Sequence, residues 1–321
     1  MSEFNLIEKY FTRPSPSADL GIGDDSALIS IRKGYQLAVS TDMLVVGTHF
    51  FSETAAYDIG WKALAVNLSD MAAMGAQPRW ATLAIALPDV NQTWLAEFSQ
   101  GIFACAEIFD VELIGGDTTK GPLNLSITIM GEVPTGKALR RDSAQIGDDI
   151  WVSGTIGDAA IGLSHLQNKL HSKFYLDDGY IEYCLDVLHR PQPRVKLGLA
   201  LQGLAHSAID ISDGLLSDLG HILKASNVGA EIQLSALPFS LFASKHIHEK
   251  LVQHCVLAGG DDYELCFTAP KNMRENIKQI STDLKLPISL IGNIREGATL
   301  VVMEENMQKP TIEKTGYDHF A

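Results

Sequence analysis

The sequence predicts an α+β fold in two domains, and three observations carry the prediction. A chain of 321 residues is long enough for two substantial cores. Strand-like and helix-like patterns alternate through its first half. A polar, turn-rich stretch over 134–149 then intervenes before the pattern restarts. The boundary is placed near 137–147, which gives domains of 1–140 and 141–321.

Residues 26–31 and 35–40 read as strands around a Lys33-Gly34 turn. Residues 58–74 read as a helix whose apolar periodicity comes from Ala63, Leu64, Val66, Leu68, Met71 and Met74. Gly75 supplies a C′ position and Pro78 prevents continuation. An apolar strand over 81–87, a second helix over 92–109 and a strand over 111–114 follow. That strand leads into a Gly115-Gly116-Asp117 turn, and 123–133 alternates like another strand. In the second half, 150–153, 206–210, 231–234, 265–268 and 288–291 read as extended. Residues 157–170 and 214–225 read as helices, and 171–180 as a loop. The tail 316–320 is too aromatic for a simple disordered end. Each half has a Ser-Asp pair beside an apolar helix (Ser69-Asp70, Ser212-Asp213) and a Gly-Gly-Asp turn (115–117, 259–261), which suggests an α+β repeat.

At 46% hydrophobic and 20% charged, the chain has the composition of a folded globular protein. A net charge of -14 with no basic stripe argues against nucleic acid as a partner. Cys105, Cys184, Cys255 and Cys266 are scattered without a C-x-x-C spacing, which reads as reduced cytosolic thiols rather than a zinc or redox site. No apolar run approaches the roughly 18 residues of a membrane span, and 1–11 lacks the apolar core of a signal peptide. The expectation is a cytoplasmic protein with no membrane partner.

The acidic residues stand where strands, loops and helices meet, flanked by Gly, Ser, Thr, Ala and Leu: Gly23-Asp24-Asp25, Ser40-Thr41-Asp42, Ser69-Asp70, Gly116-Asp117, and Asp210-Ile211-Ser212-Asp213. Such flanks predict partial burial. Crowded buried carboxylates repel, and hard divalent cations relieve the repulsion. The pattern therefore points to a Mg²⁺-dependent phosphate enzyme. Gly21-x-Gly23 opens like a dinucleotide fingerprint but fails as one, because Asp24-Asp25 follow where a pyrophosphate needs N–H groups. It suits a metal-phosphate turn or, more plainly, a solvated Asp-rich turn. Asp42 follows the strand 37–40, at its C-terminal end, and Ser40 and Thr41 can add oxygen ligands. Asp70 sits inside an apolar helix with Asn67 three residues earlier on the same face. Asp210 ends an apolar strand, while Ser212 or Asp213 could simply cap the next helix. Successive glycines before Asp117 can form an anion nest. Arg140-Arg141 can balance phosphate charge or serve as an ordinary basic linker, and His49 is a ligand contact or a structural histidine. P-loop and protein-kinase signatures are absent.

Several of these motifs together resemble the thiamine-monophosphate kinase family. They are Leu20-Gly-Ile-Gly-Asp-Asp25, Ser40-Thr-Asp42, Lys62 to Gly75, Leu113-Ile-Gly-Gly-Asp-Thr-Thr119, Ile209-Asp-Ile-Ser-Asp-Gly-Leu215, Asp218 to Ile222 and Gly316-Tyr-Asp-His-Phe320. The resemblance runs from about residue 4 to residue 320. It implies the aminoimidazole-ribotide synthetase-like architecture, an α/β sandwich in each of two domains. It also implies a homodimer formed through the N-terminal domains, and a C-terminal domain that completes the nucleotide and substrate site. The implied activity is ATP-dependent phosphorylation of thiamine monophosphate to thiamine diphosphate with several Mg²⁺ ions. The resemblance assigns metal roles to Asp25, Ser40, Thr41, Asp42, Asp70, Asp117, Asp210 and Asp213. It assigns ATP contacts to Gly116, Asp117, Arg141 and Ser212, and substrate contacts to His49 and Tyr317. The family usually carries Gly-Gly-Glu-Asp-Tyr-Glu-Leu where this chain has Gly259-Gly-Asp-Asp-Tyr-Glu-Leu265. Asp261 keeps that substrate-side charge with one methylene less reach. No general base is implied, and Asp42, Asp70 and Asp213 are the most critical ligands. The competing readings are another ATP-dependent reaction of the same superfamily, a cyclisation or a selenide phosphorylation, and a non-catalytic cation-binding module.

Overall fold

The computed structural model describes residues 2–170, 176–304 and 316–317. They form two compact units, one within 1–71 and 76–138 and the other within 72–75 and 139–321.

The first unit runs α1 (Glu3–Tyr10), β1 (Tyr35–Val45), α2 (Ala56–Ala73), β2 (Gln77–Leu87), α3 (Gln92–Phe109), β3 (Glu112–Lys120) and β4 (Asn124–Pro134). Its sheet has the order β1-β4-β2-β3, antiparallel except between β2 and β3. The sheet has two unlike faces. Leu125, Ile127 and Ile129 of β4 and Leu83 and Ile85 of β2 are buried, as alternation requires when one face packs on helices. On the other face Leu37, Val39 and Met43 of β1 stay exposed, Val39 and Met43 at 57% each. Helix α2 is apolar nearly all round and buried nearly all round, consistent with a central element. It meets α3 backbone to backbone: a Cβ on Gly60 would fall 2.1 Å from the Phe98 carbonyl oxygen, and one on Gly101 1.9 Å from that of Tyr57. Asn91 starts α3 by accepting the Thr93 and Trp94 N–H groups at 3.1 Å each.

The second unit runs β5 (Asp149–Ser153), α4 (Asp158–Leu166), α5 (Asp178–His189), α6 (Val195–Ala200), β6 (Ser207–Asp210), α7 (Leu215–Ser226), β7 (Gly229–Gln233), α8 (Leu241–His246), α9 (Lys250–Ala258), β8 (Leu265–Ala269), α10 (Arg274–Leu284), β9 (Ile288–Arg295) and β10 (Leu300–Met303). Its six strands lie in the order β10-β7-β9-β5-β8-β6, and only β10 and β7 are parallel. Ile150, Val152, Ile209, Ile211, Leu215, Leu219, Val256 and Ile291 belong to its core. Among the described residues no helix is long and apolar enough to cross a membrane.

Several expectations need correction. Residues 26–31 form no named strand; only the Leu20–Leu28 bridge pairs there. Gly115-Gly116-Asp117 is not a turn but the middle of β3, paired with Thr82, Leu83 and Ala84. The register shifts at Ala81/Thr82, and Gly116 (φ 150°) lies so close to β2 that a Cβ would stand 1.9 Å from the Leu83 carbonyl oxygen. The suggested repeat fails with it. Asp70 lies inside a helix and Asp213 before one; Gly115–Asp117 is strand and Gly259–Asp261 is loop. The loop expected over 171–180 gives way to α5 from Asp178, because Asp177 caps it through the Tyr180 N–H at 2.9 Å. The 171–175 part of that loop and the tail residues Asp318, His319 and Phe320 lie outside the described residues.

Candidate functional site

The first unit holds two groups of the expected residues. In one, strand alternation sorts Ser40-Thr41-Asp42 onto two faces. Ser40 faces α2 and donates its hydroxyl to Asp70 Oδ2 at 2.5 Å. The Asp42 N–H donates to Asn67 Oδ1 at 3.1 Å, and Asn67 is held in turn by donating to the Ala63 carbonyl at 2.9 Å. The Thr41 hydroxyl points the other way and pairs with the Thr128 hydroxyl at 2.8 Å. Its oxygen is therefore outside the Ser40, Asp42 and Asp70 group. Just past β1, His49 Nδ1 accepts the Val45 N–H at 2.9 Å. That acceptor role places the proton of the neutral ring on Nε2.

The other group lines a cavity of about 790 Å³. Asp24, Asp25, Gly116 and Asp117 form its polar part, and Phe4, Ile7, Phe11, Ile22 and Leu113 are among its apolar walls. A mixed lining of this size suits a small molecule with one apolar part, and its three carboxylates favour a cation, or a group held through one, at the polar end. Asp25 and Asp117 are exposed, Asp42, Asp70 and Asp213 are half-buried, and Asp210 is buried. The expected partial burial thus holds for some carboxylates and not for the cavity pair.

In the second unit one buried carboxylate organises the loop between β6 and α7. Asp218 Oδ2 accepts the N–H groups of Ser212, Asp213 and Gly214 at 3.0, 3.0 and 3.1 Å. The N-cap of α7 is Gly214, so neither Ser212 nor Asp213 caps it, and the plain structural reading of those two side chains falls away. The loop also gathers the other expected residues. The Asp261 N–H donates to the Ser212 carbonyl at 2.9 Å, and the Tyr317 N–H to the Asp213 carbonyl at 3.1 Å. Arg140 is engaged by Asp142 at 2.8 and 2.6 Å. Arg141 is exposed, with its carbonyl accepting the Ser226 hydroxyl at 2.8 Å.

Burial, and then the neighbouring Asp210 and Asp213 carboxylates, push the Asp218 carboxyl up to about 7. This crowding of like charge is what a hard cation relieves. Among the described residues no three His, Cys, Asp or Glu side chains form a ready cage for a metal. All-oxygen donors in ones and twos instead fit Mg²⁺, which takes one or two carboxylates and fills its octahedron with water and phosphate oxygens. Composition and spacing give Asp218 no role of its own; it enters the sequence reading only within the family-like run Asp218 to Ile222 and as an acidic residue in the first turn after Gly214.

Both halves of the chain match models of one class of two-domain protein. Residues 23–133 match the N-terminal domain of AIR synthase related protein, and 145–304 match its C-terminal domain. Within that class, the thiamine-monophosphate kinase of Escherichia coli (strain K12) is 47% identical over 322 residues, covering 99% of this chain and 98% of that protein. The chain belongs to the thiamine-monophosphate kinase family. The crystal structure of the thiamine-monophosphate kinase from Stenotrophomonas maltophilia K279a superimposes with a TM-score of 0.86 at 49% identity, over 94% of this chain and 96% of that one. A structure of AaThiL complexed with AMPPCP and TMP superimposes at 0.77 with 30% identity, over 91% and 89%.

Proposed function

We propose that this chain phosphorylates thiamine monophosphate to thiamine diphosphate by direct, in-line transfer of the ATP γ-phosphoryl group. The observation that carries the reading is near-full-length identity of 47% to a thiamine-monophosphate kinase, in a chain whose loop 210–213 is laced to Asp261 and Tyr317.

The acceptor is a phosphate monoester with a second pKa near ~6, so at neutral pH it is largely a dianion and needs no general base. The obstacle is electrostatic. Two unit charges at ~4 Å repel by about 4 kcal/mol at an effective dielectric of ~20. Mg²⁺, when bound, supplies the charge that offsets this repulsion on the phosphate oxygens. In our reading Asp25, Ser40, Asp42, Asp70, Asp117, Asp210 and Asp213 hold several Mg²⁺ ions; Thr41 joins only through its main chain. Gly116, Asp117, Arg141 and Ser212 contact ATP, with Arg141 as the guanidinium that Asp142 leaves uncommitted. His49, Asp261 and Tyr317 contact thiamine monophosphate, His49 through its Nε2–H. Asp218 orients the loop that carries Ser212 and Asp213.

The same reading includes a homodimer and a cytoplasmic location. The exposed apolar residues Leu37, Val39 and Met43 on an otherwise helix-backed sheet support the first. Four free, buried thiols are consistent with the second. A coupled ADP-release assay with ATP and Mg²⁺ tests the activity. Thiamine monophosphate should be turned over and free thiamine should not, because thiamine lacks the anionic nucleophile. Equal turnover of the two would sink the mechanism.

A further inference from the structure

The segment from Gly259 to Leu265 is fastened on two sides. Outwardly, Asp261 and Tyr263 give their N–H groups to the Ser212 and Ile211 carbonyls at 2.9 and 2.8 Å, and Ile211 gives its own to the Glu264 carbonyl at 2.8 Å. Asp261 and Tyr263 both stand in the left-handed region, at φ 69° and 50°. Non-glycine residues keep that conformation only where the surroundings over-determine it.

Those surroundings are the inward side chains, Asp262 and Glu264, both buried. Both Asp262 oxygens accept the Gly157 N–H, at 2.9 and 3.1 Å. Glu264 accepts the Ser153 hydroxyl at 2.5 Å and Arg194 Nε at 2.7 Å, and Arg194 Nη2 closes a two-pronged pair. Ser153 then accepts the Leu265 N–H at 2.9 Å. None of these side chains is needed for metal or nucleotide in the mechanism above.

We infer that Arg194 and Asp262 are positioning residues for thiamine monophosphate, holding the inward side of this segment so that Asp261 stands against the Ser212 carbonyl and presents its carboxylate to the substrate. The inference rests on the reading of Asp261 as a substrate-side residue. Burial pushes the Asp262 carboxyl well above the usual carboxylate range, so a neutral Asn is a close mimic of it.

Steady-state kinetics in both substrates, with a melting curve for each full-length variant, test it. Asp261→Ala should raise KM for thiamine monophosphate. Arg194→Lys, which keeps the charge but loses the planar fork, and Asp262→Ala should each raise that KM by about 5–20-fold and leave KM for ATP within about twofold. Asp262→Asn should stay within about threefold of wild type, because its oxygen still accepts the Gly157 N–H. The double variant Asp261→Ala/Arg194→Lys should be no worse than Asp261→Ala alone, as expected if Arg194 acts through Asp261. Multiplying effects in the double variant, or equal rises in both KM values, would overturn the inference. If Asp261→Ala raises KM and Arg194→Lys does not, the positioning role alone is wrong. If Asp261→Ala leaves KM unchanged, the substrate role of Asp261 is what fails, and the inference goes with it. Should Asp262→Ala not fold, Arg194→Lys decides.

Discussion

Asp70 and Asp42 reach the same face of β1 by different routes, one as a helix side chain bonded to Ser40, the other as a strand residue whose N–H is tied to Asn67. If both hold Mg²⁺, Asp42→Asn and Asp70→Asn should each lower kcat by at least ~100-fold, about 2.7 kcal/mol in the barrier. The melting temperature should hold or rise without metal, since a like charge is removed. Near-wild-type activity in both would return them to a structural role. Asp218 makes a sharper case. Asp218→Ala strands three N–H groups near α7, and each buried, unsatisfied group costs ~1–3 kcal/mol. Both stability and turnover should fall, whereas Asp218→Asn should recover most of the stability in a denaturant titration. At this scale the placement of Asp70 and Asn67 on one helix face was legible, because a polar pair among apolar neighbours stands out, whereas Asp42, expected just past a strand, lies inside β1, which runs on to Val45. Two further things were not legible. The side of the sheet that Thr41 takes follows from strand alternation once β1 extends through it. The role of Asp218 depends on a loop folding back over a helix turn, which no local pattern records.

Elements with strong periodicity were read nearly to the residue. Helix α3 matches its expected bounds at both ends, and α2 begins two residues earlier than expected. Strand β3 was cut short because two consecutive glycines read as a turn, and only a distant partner, β2, makes them strand. Helix α10 is hard to read for a different reason: its apolar stripe is only Ile277, Ile280 and Leu284 in an otherwise polar segment, and of these only Ile277 is buried. Where α2 crosses α3, the absence of side chains at Gly60 and Gly101 is what lets the two backbones approach so closely. Gly101→Ala should force the two backbones apart and cost ~1–3 kcal/mol in stability. Because α2 carries Asp70, kcat should fall with it. Unchanged kcat in a destabilised Gly101→Ala protein would show that α2 tolerates the shift without moving its carboxylate.

Across the whole molecule, burial keeps every cysteine out of reach. The Cys255 and Cys184 thiols are pushed up from 9.0 to about 11 and about 12, Cys184 with help from Asp158, and Cys105 and Cys266 go higher still. A raised thiol favours the folded state below its unfolded pKa, and that contribution is lost as pH rises through the folded value. The melting temperature should therefore decline as pH climbs from about 9 towards 12, and a thiol reagent should label none of the four until denaturant is added. The two-domain plan was legible because both halves hold complete apolar patterns; the exposed apolar face of β1 was not, since an exposed Val39 or Met43 looks ordinary until a strand shows them side by side. Val39→Lys with Met43→Lys should halve the mass seen by light scattering if the proposed dimer forms there. Strand β1 is the edge of its sheet, with Ser40 and Asp42 facing α2 and Val39, Thr41 and Met43 facing outward. A ribbon one residue thick cannot relax on its outer side without disturbing its inner one. If the proposed dimer covers that outer side, turnover per molecule should fade as the enzyme is diluted, long before any chain unfolds, and crowding it again should bring the rate back.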